Sequence, residues 1–208
     1  MLQFTLPDNS ELLLPSGSNL LTIAKLALNV ESPIVEATLD GMPIDLQAPL
    51  TKGGKVEFIE MNTEEGMRIY LRTLLCVLIS TTEKLYPGTK LEVRSTLGSA
   101  LYIADKSTQP LNYRDWKKVE TTMRSYVNAK EPIRFRYVNK EEAIEIACKN
   151  GIEDGVAMAK LVEDKELPVY TFLGRDCYMF GSMCPNASYV PLFEVIPYGN
   201  GIVLRLDS

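Results

Sequence analysis

The sequence contains no histidine. That excludes Ser-His and Cys-His nucleophilic mechanisms and histidine-ligated zinc within this polypeptide, since the imidazole is their shared neutral base and ligand. Cysteine is scarce, with Cys76, Cys148, Cys177 and Cys184 in 208 residues. That is too few for a disulfide scaffold, and no pair has C-x-x-C spacing, so reduced thiols are expected. A thiolate-metal site from Cys76, Cys177 and Cys184 would lack a fourth ligand, and no metal is expected. No run approaches the ~20 apolar residues of a membrane span, and the longest apolar region, Leu71 to Ile79, is broken by Arg72 and Thr73. The opening MLQFTLPDNS has neither the basic segment nor the apolar stretch of a secretion signal, so a cytoplasmic location is expected. An excess of positive charge is also missing: 22 Lys and Arg against 27 Asp and Glu leave a net charge of −5. This argues against a nucleic-acid partner, and no membrane partner is expected either. Lys117, Lys118, Arg124, Lys130, Arg134, Arg136 and Lys140 read as a solvated surface interleaved with acids.

What is present patterns as a globular α+β chain. Leu2-Phe4-Leu6 alternates as a strand, Pro7-Asp8-Asn9 turns it, and Glu11 to Leu14 completes a hairpin. Ser18 is the expected cap of a helix whose apolar face is Leu20, Leu21, Ala24 and Leu28. Extended chain returns at Ile34 to Leu39, turns at Asp40-Gly41, and ends with a short Ile44–Leu46 segment and a strand over Lys55 to Glu60. This order predicts a β-grasp unit over residues 1–61.

A second unit is expected over residues 62–208. Thr63 caps a long helix with the stripe Leu71, Leu74, Leu75 and Leu78, stopped by Tyr86-Pro87-Gly88. Strands at Lys90–Val93 and Ala100–Ile103 flank Leu97-Gly98-Ser99. A helix over Tyr113–Ala129 carries Trp116, Val119, Met123 and Val127 on one face. Ile133–Val138 is a strand, Asn139 caps a helix through Cys148, and a short helix covers Ile152–Val162. Strands follow at Val169–Leu173, Tyr178–Phe180, Tyr189–Val195 and Ile202–Leu206. Cys148 is expected to be buried, and Gly199-Asn200-Gly201 to be a tight turn. Tyr178, Tyr189, Phe193 and Tyr198 are assigned to packing in preference to a stacking surface.

The strings T-L-P-D at Thr5–Asp8, S-N-L-L at Ser18–Leu21, D-L-x-x-P-L at Asp45–Leu50 and K-L-Y-P-G-T-K-L at Lys84–Leu91 resemble the N-terminal half of threonyl-tRNA synthetases. That resemblance implies a TGS (ubiquitin-like, β-grasp) domain followed by a second additional domain of the tRNA-editing type. The family's editing motif H-x-x-x-H maps onto Arg72 and Cys76, and its C-x-x-x-H onto Phe180 and Cys184. A guanidinium stays protonated and cannot act as a neutral ligand or base, so canonical editing is not expected. The pattern Y-x-F-G-x-x-x-P-x-x-x-Y-x-x-L-F-x-V over Tyr178–Val195, with Gly66-Met67-Arg68 and Tyr70-Leu71-Arg72, resembles bacterial uridine kinases. In those proteins the two domains precede a P-loop kinase domain.

No G-x-x-x-x-G-K-[ST] occurs here, so the resemblance implies an N-terminal accessory region without cofactors of its own. ATP and magnesium would belong to the absent kinase domain. Its expected partner is that kinase domain. Arg72, Cys76, Phe180 and Cys184 would line a degenerate pocket suited to a small-molecule or phosphate-bearing ligand, or would simply be packed, with Arg72 paired to an acid. An editing hydrolase and a protein-interaction module are the alternatives.

Overall fold

A computed structural model describes residues 1–26, 31–97, 100–150, 156–157, 160–161, 163, 166–179 and 181–206. The class is α+β, as expected. The first sheet contains β1 (Leu2–Thr5), β2 (Glu11–Leu14), β3 (Ile34–Leu39), β4 (Met42–Ile44) and β5 (Gly54–Glu60) in the order β2-β1-β5-β3-β4. β1 and β5 run parallel and the other pairs antiparallel, which is the β-grasp arrangement. Helix α1 (Leu21–Leu26) covers this sheet. Its first turn is capped by Asn19, whose Oδ1 accepts the Leu21 N–H at 3.1 Å, in place of the expected Ser18. The Ser18 carbonyl is instead committed to Leu50. Leu28 lies outside the described residues.

Strand β3 has a bulge between Ile34 and Glu36. Regular alternation would put Glu36 on the face of Ile34, but the extra residue changes the phase. Ile34, Ala37 and Leu39 therefore pack with Phe4, Leu20, Leu46 and Val56, while Val35 joins the other large cluster. Glu36 leaves the first core and meets Ser182.

Helix α2 (Glu64–Leu85) starts at Thr63, whose hydroxyl accepts the Gly66 N–H at 3.0 Å, with Glu64 and Glu65 at its positive end. Its most buried apolar residues are Ile69, Tyr70, Leu74, Cys76, Val77 and Leu78, while Leu71 and Leu75 of the expected stripe are half-buried. The next elements are β6 (Leu91–Leu97), β7 (Ala100–Asp105), α3 (Tyr113–Asn128), β8 (Arg134–Asn139), α4 (Lys140–Lys149), β9 (Glu166–Phe172), β10 (Arg175–Cys177), β11 (Glu194–Tyr198) and β12 (Gly201–Arg205). They form a four-stranded sheet β11-β12-β7-β6 and a three-stranded sheet β10-β9-β8. Trp116, Val119, Met123 and Val127 of α3 all enter the central core beside α2, as their spacing predicts. Asn139 caps α4. The expected helix over 152–162 and the Gly98-Ser99 turn fall largely outside the described residues.

Three further expectations change. Cys148 is exposed, because Ala143, Ile146 and Ala147 occupy the buried face of α4 and residue 148 lies a further ~100° around the helix. The strand expected at Tyr178–Phe180 is instead Arg175–Cys177, one partner of a hairpin whose turn is Leu173-Gly174. Tyr189–Val195 begins with a 3-10 turn at Ala187–Tyr189 capped by Asn186, and strand pairing starts only at Glu194.

Gly66 marks the closest approach of α2 to the end of β5. An added Cβ would strike the Glu60 carbonyl and lie 2.7 Å from Met61 Cα and O. Gly66→Ala should therefore lower stability by about 1–3 kcal/mol in urea unfolding, although the same change in an open helix would add ~1 kcal/mol. A stabilised variant would contradict this packing.

Candidate functional site

One face of α2 carries Arg72, Cys76 and Ser80 at successive i, i+4 positions, with Thr73 beside them. The segment after β10 passes across this face. Gly181 has φ +128, a backbone conformation that favours glycine, and an added Cβ would meet the Arg72 guanidinium, which would have to move. Arg72 Nη2 donates to Glu65 Oε1 at 2.7 Å, two turns earlier on the same helix. The side chain is 20% exposed. The Cys184 N–H donates to Thr73 Oγ1 at 2.9 Å, and that hydroxyl donates to Ile69 O at 2.7 Å.

Two acids of the first sheet region reach the same place. The Ser182 hydroxyl donates to Glu36, and the Tyr170 hydroxyl donates to Asp45. Asp45 also accepts the Gln47 N–H at 2.7 Å, and Gln47 Nε2 donates to Ile133 O at 2.9 Å. Burial pushes the Asp45 carboxyl up to about 6 against these hydrogen bonds. Burial also raises Glu36, opposed by the Ser182 hydroxyl, aided by the charge of Glu65 and opposed again by Arg72.

The cysteines separate into different settings. Cys184 is fully buried, and desolvation lifts its thiol to about 12, so it remains protonated. Cys76, also fully buried, turns to Cys177, with Sγ–Sγ 3.1 Å. Ser80 Oγ lies 3.7 Å and Arg175 Nη1 3.5 Å from Cys177 Sγ. The Cys76 S–H hydrogen bond, and then the Arg175 charge, pull the Cys177 thiol below its ordinary value despite burial, while Cys76 is raised in turn.

Thus Arg72 meets Gly181 and lies near Cys184, whereas the Cys76 thiol is directed at Cys177. Phe180 lies outside the described residues. Among the described residues no group of three or more His, Cys, Asp or Glu could hold a metal ion. Glu36, Asp45, Thr73, Tyr170 and Ser182 were missed in the sequence. The one available signal was a carboxylate, Glu36, in the middle of the mostly apolar strand Ile34–Leu39.

On the far side of Ser80 is a cleft of about 870 Å³ whose lining includes Glu83, Lys84, Lys90, Cys148 and Arg175. Three members of the basic stretch are ion-paired: Lys117 and Arg124 with Glu120, and Arg136 with Glu142 and Asp176. Tyr178, Tyr189, Phe193 and Tyr198 form no common stacking surface. Tyr178 and Phe193 are buried in different clusters, and exposed Tyr198 stands edge-on to Tyr102. No described helix is long and apolar enough to cross a membrane.

The chain is similar to threonine–tRNA ligases. It is 27% identical over 194 residues to that of Symbiobacterium thermophilum, covering 92% of this chain and 30% of the relative. Against the enzyme of Flavobacterium johnsoniae it is 26% identical over 203 residues, covering 94% of this chain and 30% of the relative. With the Rubrobacter xylanophilus ligase the identity is 29% over 139 residues, 66% of this chain and 22% of the relative. The chain therefore spans under a third of the length of these curated relatives. No family model matches it.

The buried Asp45 generates a pH prediction. Its folded pKa lies above the unfolded 3.8, so the folded state holds more protons across the window between them. The associated stability is full below about pH 4 and is lost as pH rises through about 6. Relative to Asp45→Asn, the native chain should lose about 1–3 kcal/mol between about pH 4 and pH 7 in chemical unfolding. Parallel pH profiles for the two proteins would show that Asp45 does not titrate this way.

Proposed function

We propose that this chain is a non-catalytic accessory unit on a threonyl-tRNA-synthetase-like framework, forming the front part of a uridine kinase-type nucleoside kinase. Residues 1–61 are its TGS unit and residues 62–208 its editing-like unit. ATP, magnesium and nucleoside chemistry belong to a P-loop region outside the chain, and that region is its principal partner. The observation that carries the reading is the seating of Arg72. Its guanidinium is packed on the Gly181 backbone and paired with Glu65, at a position where hydrolysis in the related framework would call for an imidazole. A permanently charged guanidinium cannot take a proton from water. Cys184, at the other mapped position, is held protonated in the core. The Tyr178–Val195 and Gly66–Arg72 patterns support the kinase assignment.

The reading frame beyond Ser208 tests the parentage: a G-x-x-x-x-G-K-[ST] motif is expected there, and a frame that lacks it contradicts the kinase assignment. A full-length protein deprived of residues 1–208 should retain nucleoside phosphorylation with an altered KM or response to ligands.

A second reading, removal of wrong amino acids from tRNA, is favoured by the similarity to threonine–tRNA ligases. Mischarged tRNA incubated with the purified chain should be deacylated no faster than in buffer. A rate proportional to protein concentration, and lost in Cys76→Ala, would favour this second reading over the first.

A further inference from the structure

Cys76 and Cys177 have no role in that accessory function, yet their sulfurs lie 3.1 Å apart from opposite sides of a packed boundary, one on α2 and one at the end of β10. Two thiols that merely fill space would sit at or beyond ordinary sulfur contact, and only about 1 Å of approach separates these from a bond of ~2.05 Å. Their surroundings are polar on one side. Ser80 and Arg175 both touch Cys177 Sγ, and both line the 870 Å³ cleft, so the sulfur lies one side chain beneath a solvent-filled surface. Arg175 is half-buried at this edge. Cys184 is on a separate segment, its backbone N–H held by Thr73 Oγ1, and takes no part in the close sulfur contact.

We propose that Cys76 and Cys177 are a peroxide-oxidisable pair that closes to a disulfide joining α2 to the β9–β10 hairpin. The Cys177 thiolate, facing the Arg175 cation, attacks one oxygen of hydrogen peroxide. The O–O bond breaks, Cys177 becomes a sulfenic acid, and the departing hydroxide takes a proton to leave as water. The Cys76 sulfur then attacks the Cys177 sulfur. The S–O bond breaks, and hydroxide leaves with the Cys76 proton as a second water. Two thiols and one peroxide give one disulfide and two waters, with two electrons passing from sulfur to oxygen. Ser80 and Arg175, which both contact Cys177 Sγ and line the cleft, mark the side from which hydrogen peroxide would reach the sulfur. Closure would tie together residues 101 apart in sequence and fix the hairpin that forms one wall of the cleft.

The test uses the chain with exposed Cys148 changed to Ser, which removes the thiol most open to intermolecular coupling. After treatment with hydrogen peroxide, the protein is denatured, alkylated with N-ethylmaleimide and weighed. The expected product has lost two hydrogens, takes up one alkyl group in place of three, yields a Cys76–Cys177 linked peptide, and regains all three thiols with dithiothreitol. In the Cys76→Ser version, oxygen should instead accumulate on Cys177 without a cross-link. Three thiols still alkylated at peroxide levels that fully oxidise a free dithiol would overturn the proposal. So would a cross-link through Cys184, or sulfinic acid at Cys177 while Cys76 remains free.

Discussion

Three carboxylates, Glu36, Asp45 and Glu65, converge where the Gly181–Cys184 segment crosses α2, and Arg72 is the cation set among them. Burial of Glu36 or Asp45 alone would be costly, because the charged form loses its hydration, whereas Glu65 stays partly exposed. The arrangement is tolerated because each acid has a specific donor: Ser182 for Glu36, Tyr170 and Gln47 for Asp45, and Arg72 for Glu65. Such a junction contributes little net stability, but removing one member leaves its partners unsatisfied. It fixes how the N-terminal sheet meets the long helix. The same guanidinium lies against Gly181 and pairs with Glu65, so it ties the 181–184 segment to the first turns of α2.

Much of the fold was legible because it rests on local signals. Thr63 and Asn139 announce their helices, and the Trp116–Val127 spacing gives the buried face of α3. The hairpin pairing Leu2–Thr5 with Glu11–Leu14 follows from alternation around a turn. What was hidden depends on long-range geometry. The bulge at Val35 has no sequence mark, yet it decides that Glu36 leaves the apolar core. The exposure of Cys148 turns on which side of α4 meets β8 and β9.

At the candidate site the positions of Arg72 and Cys184 were readable by counting along motifs, but their partners were not. Gly181 and Thr73 matter through contacts across more than a hundred residues, which no periodicity reports. Cys76 illustrates the limit most clearly. Helical spacing places it on the face of Arg72, but only the path of the β9–β10 hairpin shows that it faces Cys177 and not the 181–184 segment. Arg175 and Ser80 connect that pair to the cleft on the other side.

The central claim is that Arg72 is a fixed structural cation and not a group awaiting an aminoacyl substrate. The most direct measurement is the NMR signal of its Nε–H in the isotope-labelled chain, titrated with a hydrolysis-resistant aminoacyl-adenosine. A signal that stays in place up to millimolar ligand, and moves when Glu65 is changed to Gln, is the result this account predicts. A saturable shift on adding the aminoacyl-adenosine to the native chain would contradict it.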